Sequence, residues 1–443
     1  MSGGNHPAIY AVIGRPISHS LSPQMHNAAF EKLDMSATYI RLASADSNSA
    51  VDTLKAMRAK GFNVTSPYKG DMLALADSYD SETEEIGAAN TIVANGAKLV
   101  GHNTDAYGAV QALRRNSVGL KGESVLVIGA GGAARAAAYG LAGAGANITV
   151  ANRTISKAKA VARDFGCAST SLAKRDIAKA ISHCSVVVSC AGASDSIVPA
   201  SSLRKGMVVL DANYRFETAL ARDARKAGCK VIDGREWLLH QGAKAFELFT
   251  GRDAPLDAMS KAVYRPFAAK REKGISLIGF MGAGKSSAAK ALASKLRIPA
   301  IDTDADIERE AGMTINEIFR KSGEAGFRAL EKIRIARLPG GKPSVVASGG
   351  GSVLDEKNVA AMRANGMVAM LWADEAVLRN RLSDNKDRPL LPGRGTSMDS
   401  KGFRKLMRER APIYFDSADI VVDADASPAK IAEVIAFEAR ESR

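Results

Sequence analysis

Short apolar runs alternate with helix-like stretches from Ala8 onward. Ile9 to Ile13, Thr38 to Leu42 and Phe62 to Thr65 read as strands, with helical stretches from Pro23 to Leu33 and from Ala50 to Ala59 between them. This is the punctuation of βαβ units, so it predicts an α/β domain with a largely parallel sheet. The rhythm continues through Ser124 to Ile128, Ile148 to Val150, Val186 to Ala191 and Val208 to Ala212. It resumes in the second half at Ile275 to Ile278, Ala300 to Ile301 and Ser344 to Ala347. No repeat or low-complexity tract interrupts it.

At 443 residues the chain exceeds one ordinary domain, and a prior of about 100 to 200 residues per domain predicts two to four of them. With 46% hydrophobic and 24% charged residues the composition is that of a globular protein. The net charge of +14 is spread along the chain, which suits anionic substrates and cofactors better than nucleic acid. Aromatic residues, at 5% and without clusters, offer no base-stacking platform. The densest basic run, Lys261 to Lys273, reads as a solvated connector within a linker that begins at Leu256. Cys167, Cys184, Cys190 and Cys229 form no C-x-x-C pair and predict reduced thiols, hence a cytoplasmic protein. Met1 to Pro7 has no apolar core of a signal peptide, and no run approaches the roughly 18 apolar residues of a membrane span.

Two glycine-rich turns carry the most specific chemistry. Gly129-Ala130-Gly131-Gly132-Ala133-Ala134 follows an apolar strand and opens an Ala-rich helix, which satisfies the dinucleotide pattern G-x-G-x-x-A. The next strand ends in Asn152-Arg153-Thr154, where an acidic residue would bind the ribose hydroxyls of NAD. An Arg there can pair with a 2′-phosphate, so the cofactor reads as NADP(H). The second turn, Gly279-Phe280-Met281-Gly282-Ala283-Gly284-Lys285-Ser286, fills every fixed position of G-x-x-x-x-G-K-[ST] and precedes a helix from Ser287 to Leu296. Backbone N–H groups of Gly282, Ala283 and Gly284 can wrap phosphate oxygens of ATP, Lys285 adds a charge, and Ser286 can hold Mg2+.

Polar clusters recur at strand ends in the front half: Ser18-His19-Ser20-Leu21-Ser22-Pro23, Asn63-Val64-Thr65-Ser66-Pro67-Tyr68-Lys69, Asn90-Thr91 and Asn103-Thr104-Asp105. Ser and Pro before a helix are also ordinary capping chemistry. Ligands of open α/β sheets sit at the carboxyl ends of strands, so the clusters together suggest a small polyhydroxylated substrate. Lys69 and Asp105 are the proton-transfer candidates; the alternative is a surface ion pair.

Together with Gln241-Gly242-Ala243, these clusters resemble shikimate dehydrogenase from about Pro7 to Ser260. The resemblance implies that Ser20, Ser22, Thr65, Asn90, Asp105 and Gln241 bind the substrate, with Tyr214 lining the site. It also implies that Lys69 with Asp105 carries the proton to or from the carbonyl oxygen. Ser66 stands where that family usually has Val, and Arg215-Phe216 replaces a more usual Asn-Pro. The stretch Glu236 to Thr250 is expected to return to the first domain, because Gln241 must face the substrate. The Rossmann-like part is then an insertion: residues 7–105 with 236–260 form the substrate domain, 106–235 the NADP domain, 261–273 a linker and 274–443 the last domain.

In the back half, Asp302-Thr303-Asp304 ends a strand, so its two carboxylates are expected to point the same way, one toward Mg2+ and one toward a substrate hydroxyl. A long helical pattern carries Glu324, Phe327, Arg328 and Glu331, and a later strand ends in Gly349-Gly350-Gly351. No acidic Walker B residue stands on that strand, and Asn385-Lys386-Asp387 lacks the spacing of a guanine-binding motif. With Arg388-Pro389-Leu390-Leu391 and Arg410-Ala411-Pro412-x-Tyr414, these features resemble shikimate kinase from roughly Gly274 to Glu438. The resemblance implies a sheet of about five parallel strands and a lid near Arg388. It implies ATP contacts at Gly282 to Ser287 and Arg388, with Ser286 and Asp302 toward Mg2+. The substrate carboxylate falls to Arg328 and Arg410, its backbone contacts to Gly350 and Gly351, and its reacting hydroxyl to Asp304.

The joint reading is a bifunctional enzyme that reduces 3-dehydroshikimate with NADPH and phosphorylates the resulting shikimate with ATP and Mg2+, as a monomer or homodimer without nucleic-acid or membrane partners. Two alternatives stay open. The front half could be a quinate/shikimate dehydrogenase, or the chain could be a ligand-sensing regulator on catalytically dead domains.

Overall fold

The computed structural model describes residues 7–191, 197–265, 273–338, 342–383 and 400–441. They divide into two units, one drawn from residues 7–20, Ser36–Ala59 and 273–441, the other from Leu21–Met35 and Lys60–Arg265.

The first unit carries a parallel sheet in the order Ala300–Asp302, Val345–Ala347, Gly274–Gly279, Gly366–Trp372, Ile420–Asp423, Ala37–Ala43, Ala8–Gly14. Val345, Val346, Ile275, Leu277 and Ile278 are all buried, and uninterrupted apolar strands of this kind belong to a parallel sheet with both faces covered. The five strands of the back half are the parallel set expected. The joint between Ile420–Asp423 and Ala37–Ala43 extends them with strands from the start of the chain, Val421 pairing with Leu42 and Val422 with Ala43.

The second unit holds a six-stranded parallel sheet in the order Lys230–Ile232, Val208–Asp211, Val186–Ser189, Ser124–Ile128, Asn147–Asn152, Ala168–Ser171. The strand Ser124–Ile128 sits where the order reverses, and its carboxyl end runs into the glycine-rich turn. That crevice is where a doubly wound sheet binds a dinucleotide. A second group of strands is mixed: Gly61–Val64 pairs antiparallel with Thr91–Asn95, which pairs antiparallel with Lys98–His102. The largely parallel sheet predicted for the front half is corrected here. The signal lay in Asn95-Gly96, since Asn95 faces Lys98 across a two-residue turn and Gly96 takes φ of 65°.

Three helices depart from the sequence pattern. The helix after the phosphate loop begins at Lys285, so Ser286 and Ser287 lie in its first turn. Ile315–Ala336 is capped by a Thr314–Glu317 capping box but breaks at Gly323, whose φ of 65° and ψ of −174° are not helical. Leu256–Val263 is a helix with Met259, Ala262 and Val263 buried, so part of the expected linker is packed structure. The helix Gly234–Thr250 leaves the six-stranded sheet and packs on Asp105–Arg115, Ser22–Lys32 and Leu256–Val263. Among the described residues no helix is long and apolar enough to cross a membrane.

Candidate active sites

In the second unit the Lys69 ammonium donates to the Asp105 carboxylate, and both side chains are largely buried. This is not the surface pair that was the alternative. Asp105 opens the helix Asp105–Arg115, and the Asn103 side chain sets its geometry by accepting the N–H groups of Asp105 at 3.0 Å and Ala106 at 3.3 Å. Next to it a buried amide network forms. Asn90 Nδ2 donates to Thr104 Oγ1 at 3.0 Å and to Gln241 Oε1 at 3.2 Å, while Asn90 Oδ1 accepts the Thr104 N–H at 2.7 Å. Gln241 Nε2 in turn donates to the Leu238 carbonyl at 3.0 Å. Such a network holds amide groups in one orientation, which a site recognising hydroxyls requires.

Thr65 follows the strand Gly61–Val64, and Ser66 beside it is exposed. Tyr214 is half-buried in the loop after Val208–Asp211, where Asn213 Oδ1 accepts the Arg215 N–H at 2.9 Å, while Phe216 is exposed. Ser22 is the first residue of the helix Ser22–Lys32, whose cap position is Leu21 and which has no side-chain cap, so the capping reading is not realised. Ser20 belongs to the first unit, where its carbonyl accepts Arg41 Nε at 2.9 Å and Nη2 at 2.6 Å.

The glycine-rich turn meets the proton-transfer pair within the same unit. A Cβ built on Gly132 would stand 3.3 Å from both Cβ and Cδ of Lys69, so the turn lies against the lysine stem and a side chain at residue 132 would crowd it. Gly131 caps the helix Gly132–Gly143 without any side-chain acceptor, which leaves the N-terminal N–H groups to a phosphate. Gly129, Ala130 and Ala133 complete the turn. Asn152 Nδ2 donates to the Thr154 carbonyl at 3.1 Å, and Arg153 and Thr154 are exposed at the strand end. This arrangement fits an NADP phosphate.

The back-half site lies wholly in the first unit. Gly284 adopts φ of 81°, a left-handed conformation that Gly takes without strain, and the helix starts directly after it. Lys285 Nζ donates to the carbonyls of Gly279 at 2.8 Å and Phe280 at 3.0 Å, which holds the ammonium against the loop. Gly282 and Ala283 complete the turn. Asp302 is a helix cap whose Oδ1 accepts the N–H groups of Asp304 at 3.1 Å and Ala305 at 3.2 Å. The strand ends at Asp302, so Asp304 lies in the first helical turn and the expected strand-like alternation of the two carboxylates does not apply.

Asp304, Glu331 and Arg328 surround the turn Gly349-Gly350-Gly351. A Cβ on Gly349 would lie 2.5 Å from Glu331 Oε1 and 2.8 Å from Asp304 Oδ1, and one on Gly351 would fall inside the Arg328 guanidinium. Arg328 Nη1 donates to Glu331 Oε2 at 2.8 Å, with Glu331 almost fully buried. Burial pushes the Glu331 carboxyl up and the Asp304 carboxylate adds to it, while Arg328 and Arg410 pull it down. Tyr414 donates its hydroxyl to the Gly350 carbonyl, and burial raises its pKa to about 12. Arg410, on the helix Ser400–Ser417, pulls both the Glu331 carboxyl and the Tyr414 hydroxyl down by its charge. Asp302, with Ser286 in the first turn of the helix after the phosphate loop, fits Mg2+, since Mg2+ needs only one or two protein carboxylates when phosphate supplies further oxygens. Arg388 and the expected lid lie outside the described residues.

Residues 12–92 match the family model described as shikimate dehydrogenase substrate binding domain, 111–223 that of shikimate / quinate 5-dehydrogenase, and 234–264 that of the shikimate 5′-dehydrogenase C-terminal domain. A shikimate dehydrogenase (NADP(+)) of Pyrococcus abyssi is 40% identical over 258 residues, which are 55% of this chain and 92% of that protein. This chain belongs to the shikimate dehydrogenase family. Residues 281–439 match the family model described as shikimate kinase, so a kinase domain follows the dehydrogenase. The shikimate dehydrogenase (NADP(+)) of Natronomonas pharaonis is 41% identical over 58% of this chain and 98% of its own. Among solved structures, the shikimate 5-dehydrogenase of Thermus thermophilus in complex with NADP(H) and shikimate is 35% identical, with a TM-score of 0.54 over 58% of this chain and 98% of that one. A quinate dehydrogenase of Corynebacterium glutamicum in complex with NAD is 29% identical, with a TM-score of 0.54 over 58% of this chain and 99% of that one.

Sequence reasoning left three neighbours of these sites without a role. In the dehydrogenase, Trp237 donates to the Asp105 carbonyl at 2.9 Å, and nothing local in sequence announces a partner 132 residues away. Cys190 lies against the glycine-rich turn, where a Cβ on Gly129 would stand 3.3 Å from its Cβ, and burial raises its pKa to about 12. In the kinase, Glu331 was part of a helical pattern, and its three-residue spacing from Arg328 was the available signal.

Proposed function

We propose that the front site reduces 3-dehydroshikimate to shikimate with NADPH and that the back site phosphorylates the 3-hydroxyl of shikimate with ATP. The chain is a bifunctional shikimate-pathway enzyme, a dehydrogenase followed by a kinase. The observation that carries the reading is Lys69, whose ammonium pairs with Asp105 while its stem lies against Gly132 of the cofactor turn. The proton donor and the dinucleotide turn therefore meet within one unit.

In the reduction, NADPH when bound supplies the hydride to the carbonyl carbon. Lys69 gives a proton to the carbonyl oxygen as negative charge develops there, Asp105 keeps Lys69 oriented, and a proton taken up from solvent restores the ammonium. Asn90 and Gln241 face the substrate hydroxyls together with Ser20, Ser22 and Thr65, and Tyr214 lines the site. Gly129 to Ala133 hold the pyrophosphate, and Asn152, Arg153 and Thr154 hold the 2′-phosphate, so Arg153 accounts for the choice of NADP.

In the phosphorylation, Asp304 accepts the hydroxyl proton as the oxygen attacks the terminal phosphate and the bridging oxygen of ADP leaves. Arg328 and Arg410 hold the substrate carboxylate, with Gly350 and Gly351 presenting backbone groups beside it. Lys285 and the N–H groups from Gly282 to Ser287 neutralise the phosphates, a role in which the family resemblance also includes Arg388. Ser286 and Asp302 would hold Mg2+, which would offset phosphate charge there.

The enzyme is assigned to the cytoplasm as a monomer or homodimer acting on small molecules. The substrate domain is 7–105 with 236–260, the NADP domain 106–235, the connector 261–273 and the kinase 274–443. Supplying 3-dehydroshikimate, NADPH, ATP and Mg2+ to the full chain tests the reading. NADPH absorbance should fall while mass spectrometry detects shikimate 3-phosphate. NADPH loss without the phosphorylated product overturns the kinase assignment, and no NADPH loss overturns the dehydrogenase assignment. Comparing quinate with shikimate under NAD+ and NADP+ decides whether the front half is instead a quinate dehydrogenase.

A further inference from the structure

The loop between Gly14 and Ser20, which ends at a proposed substrate-binding serine, is held by the far end of the chain. Glu438, on the helix Pro428–Glu441, accepts with Oε2 the backbone N–H groups of Ile17 at 2.9 Å and Ser18 at 2.9 Å. It is 1% exposed, and Ile17 beside it is fully buried. Ser18 Oγ also donates to the Glu438 carbonyl at 3.4 Å. Arg15 lies over the Phe437 ring at 4.5 Å and approaches Glu433 at 3.7 Å. At the other end of the loop, Arg41 binds the Ser20 carbonyl and reaches the Asp419 carbonyl at 3.2 Å. Thr53 adds a hydrogen bond to Asp423 at 3.2 Å, beside the strand joint described above. All of these residues fall within one unit.

A buried carboxylate is costly unless its oxygens are used, and here one oxygen serves two consecutive amides. Burial raises the Glu438 pKa, while those amides and the Arg15 charge pull it back. Two consecutive N–H groups converging on one acceptor define a single loop conformation, and Ser20 follows two residues later with its own N–H bonded to the Ile17 carbonyl at 3.0 Å. We infer that Glu438, a residue of the kinase part, is a positioning residue for the dehydrogenase, fixing the loop that presents Ser20 to its substrate. The inference rests on the proposed role of Ser20. Substrate affinity of the front half then depends on the last helix of the back half.

The test uses the full chain with both activities assayed on each variant. Glu438→Leu removes the acceptor that both N–H groups share, and the KM for 3-dehydroshikimate should rise about tenfold with kcat changed less than about twofold, because the loop binds substrate and moves no proton. The KM values of the kinase for shikimate and ATP should stay unchanged, which also reports that the chain is folded. Glu438→Gln keeps a carbonyl acceptor and should restore most of the lost affinity. If Glu438→Leu is insoluble, Glu438→Asp, which withdraws the carboxylate by one methylene, should still raise that KM severalfold. An unchanged dehydrogenase KM in the Leu variant, or in the Asp variant where that is the one measured, overturns the inference. So does a parallel loss of both activities in the Asp variant. Ser20→Ala separates the two layers: if it leaves the KM unchanged, the loop's role falls and the inference with it. If it raises the KM while the Glu438 variants do not, the inference alone falls.

Discussion

Trp237 donates its indole N–H to the backbone carbonyl of Asp105 at 2.9 Å, tying the helix Gly234–Thr250 to the residue that pairs with Lys69. Trp237 is buried, and Gly108, one turn beyond Asp105, leaves room for it: a Cβ there would lie 2.8 Å from Trp237 Cδ1. Trp237→Phe keeps most of the packing and loses the hydrogen bond. Its kcat for reduction should fall about three- to tenfold with the KM for NADPH unchanged, measured by steady-state NADPH absorbance.

Lys69→Ala should lower kcat for reduction by about 10²- to 10⁴-fold, the range for removing a positioned proton donor. Phosphorylation of supplied shikimate should stay at the parental rate. Equal loss of both activities would point to unfolding instead of chemistry.

Arg153 is exposed at the end of the strand Asn147–Asn152 and has no acidic neighbour in the run Asn152-Arg153-Thr154. Arg153→Ala should raise the KM for NADPH about tenfold or more and leave the KM for NADH unaltered, because only the 2′-phosphate is lost as a partner. Equal changes for both cofactors would remove Arg153 from the phosphate site.

Glu331 holds Arg328 in place from a buried position. Arg328→Ala should cost about 2 to 5 kcal/mol of shikimate binding in the kinase reaction. Glu331→Gln removes the ion pair but keeps an acceptor, so its KM for shikimate should rise less, with the KM for ATP unchanged in both variants. A change in the ATP constant would argue that the pair organises the phosphate loop.

His26 is fully buried against Phe246 and Phe249, with ring centroids 6.2 Å and 6.0 Å away, and burial lowers its pKa to about 3. The folded state keeps it neutral while the unfolded chain binds a proton below about pH 6.5, so its contribution to stability is complete above that pH and is lost as pH falls toward 3. The slope is about 1.4 kcal/mol per pH unit across this window. Denaturant titrations at about pH 7, 6 and 5 should show His26→Phe losing less stability on acidification than the parent by roughly that amount per unit. Parallel curves would show that other groups carry the acid sensitivity.

By itself the sequence determined the two nucleotide turns, the helices that follow them, and the βαβ rhythm around both. Each depends on residues a few positions apart, because strand, glycine turn and helix N-terminus form one local unit. The polar clusters were legible as strand-end chemistry for the same reason. Tertiary structure alone decided which residues support those sites. It put Trp237 on Asp105 and Cys190 against Gly129, and it folded Glu331 and Asp304 around Gly349. Above all it brought Glu438 to Ile17 across 421 positions of chain. A buried acceptor finds its donors only once the sheet has set the distances, and no period or spacing in the sequence encodes a pairing made through packing.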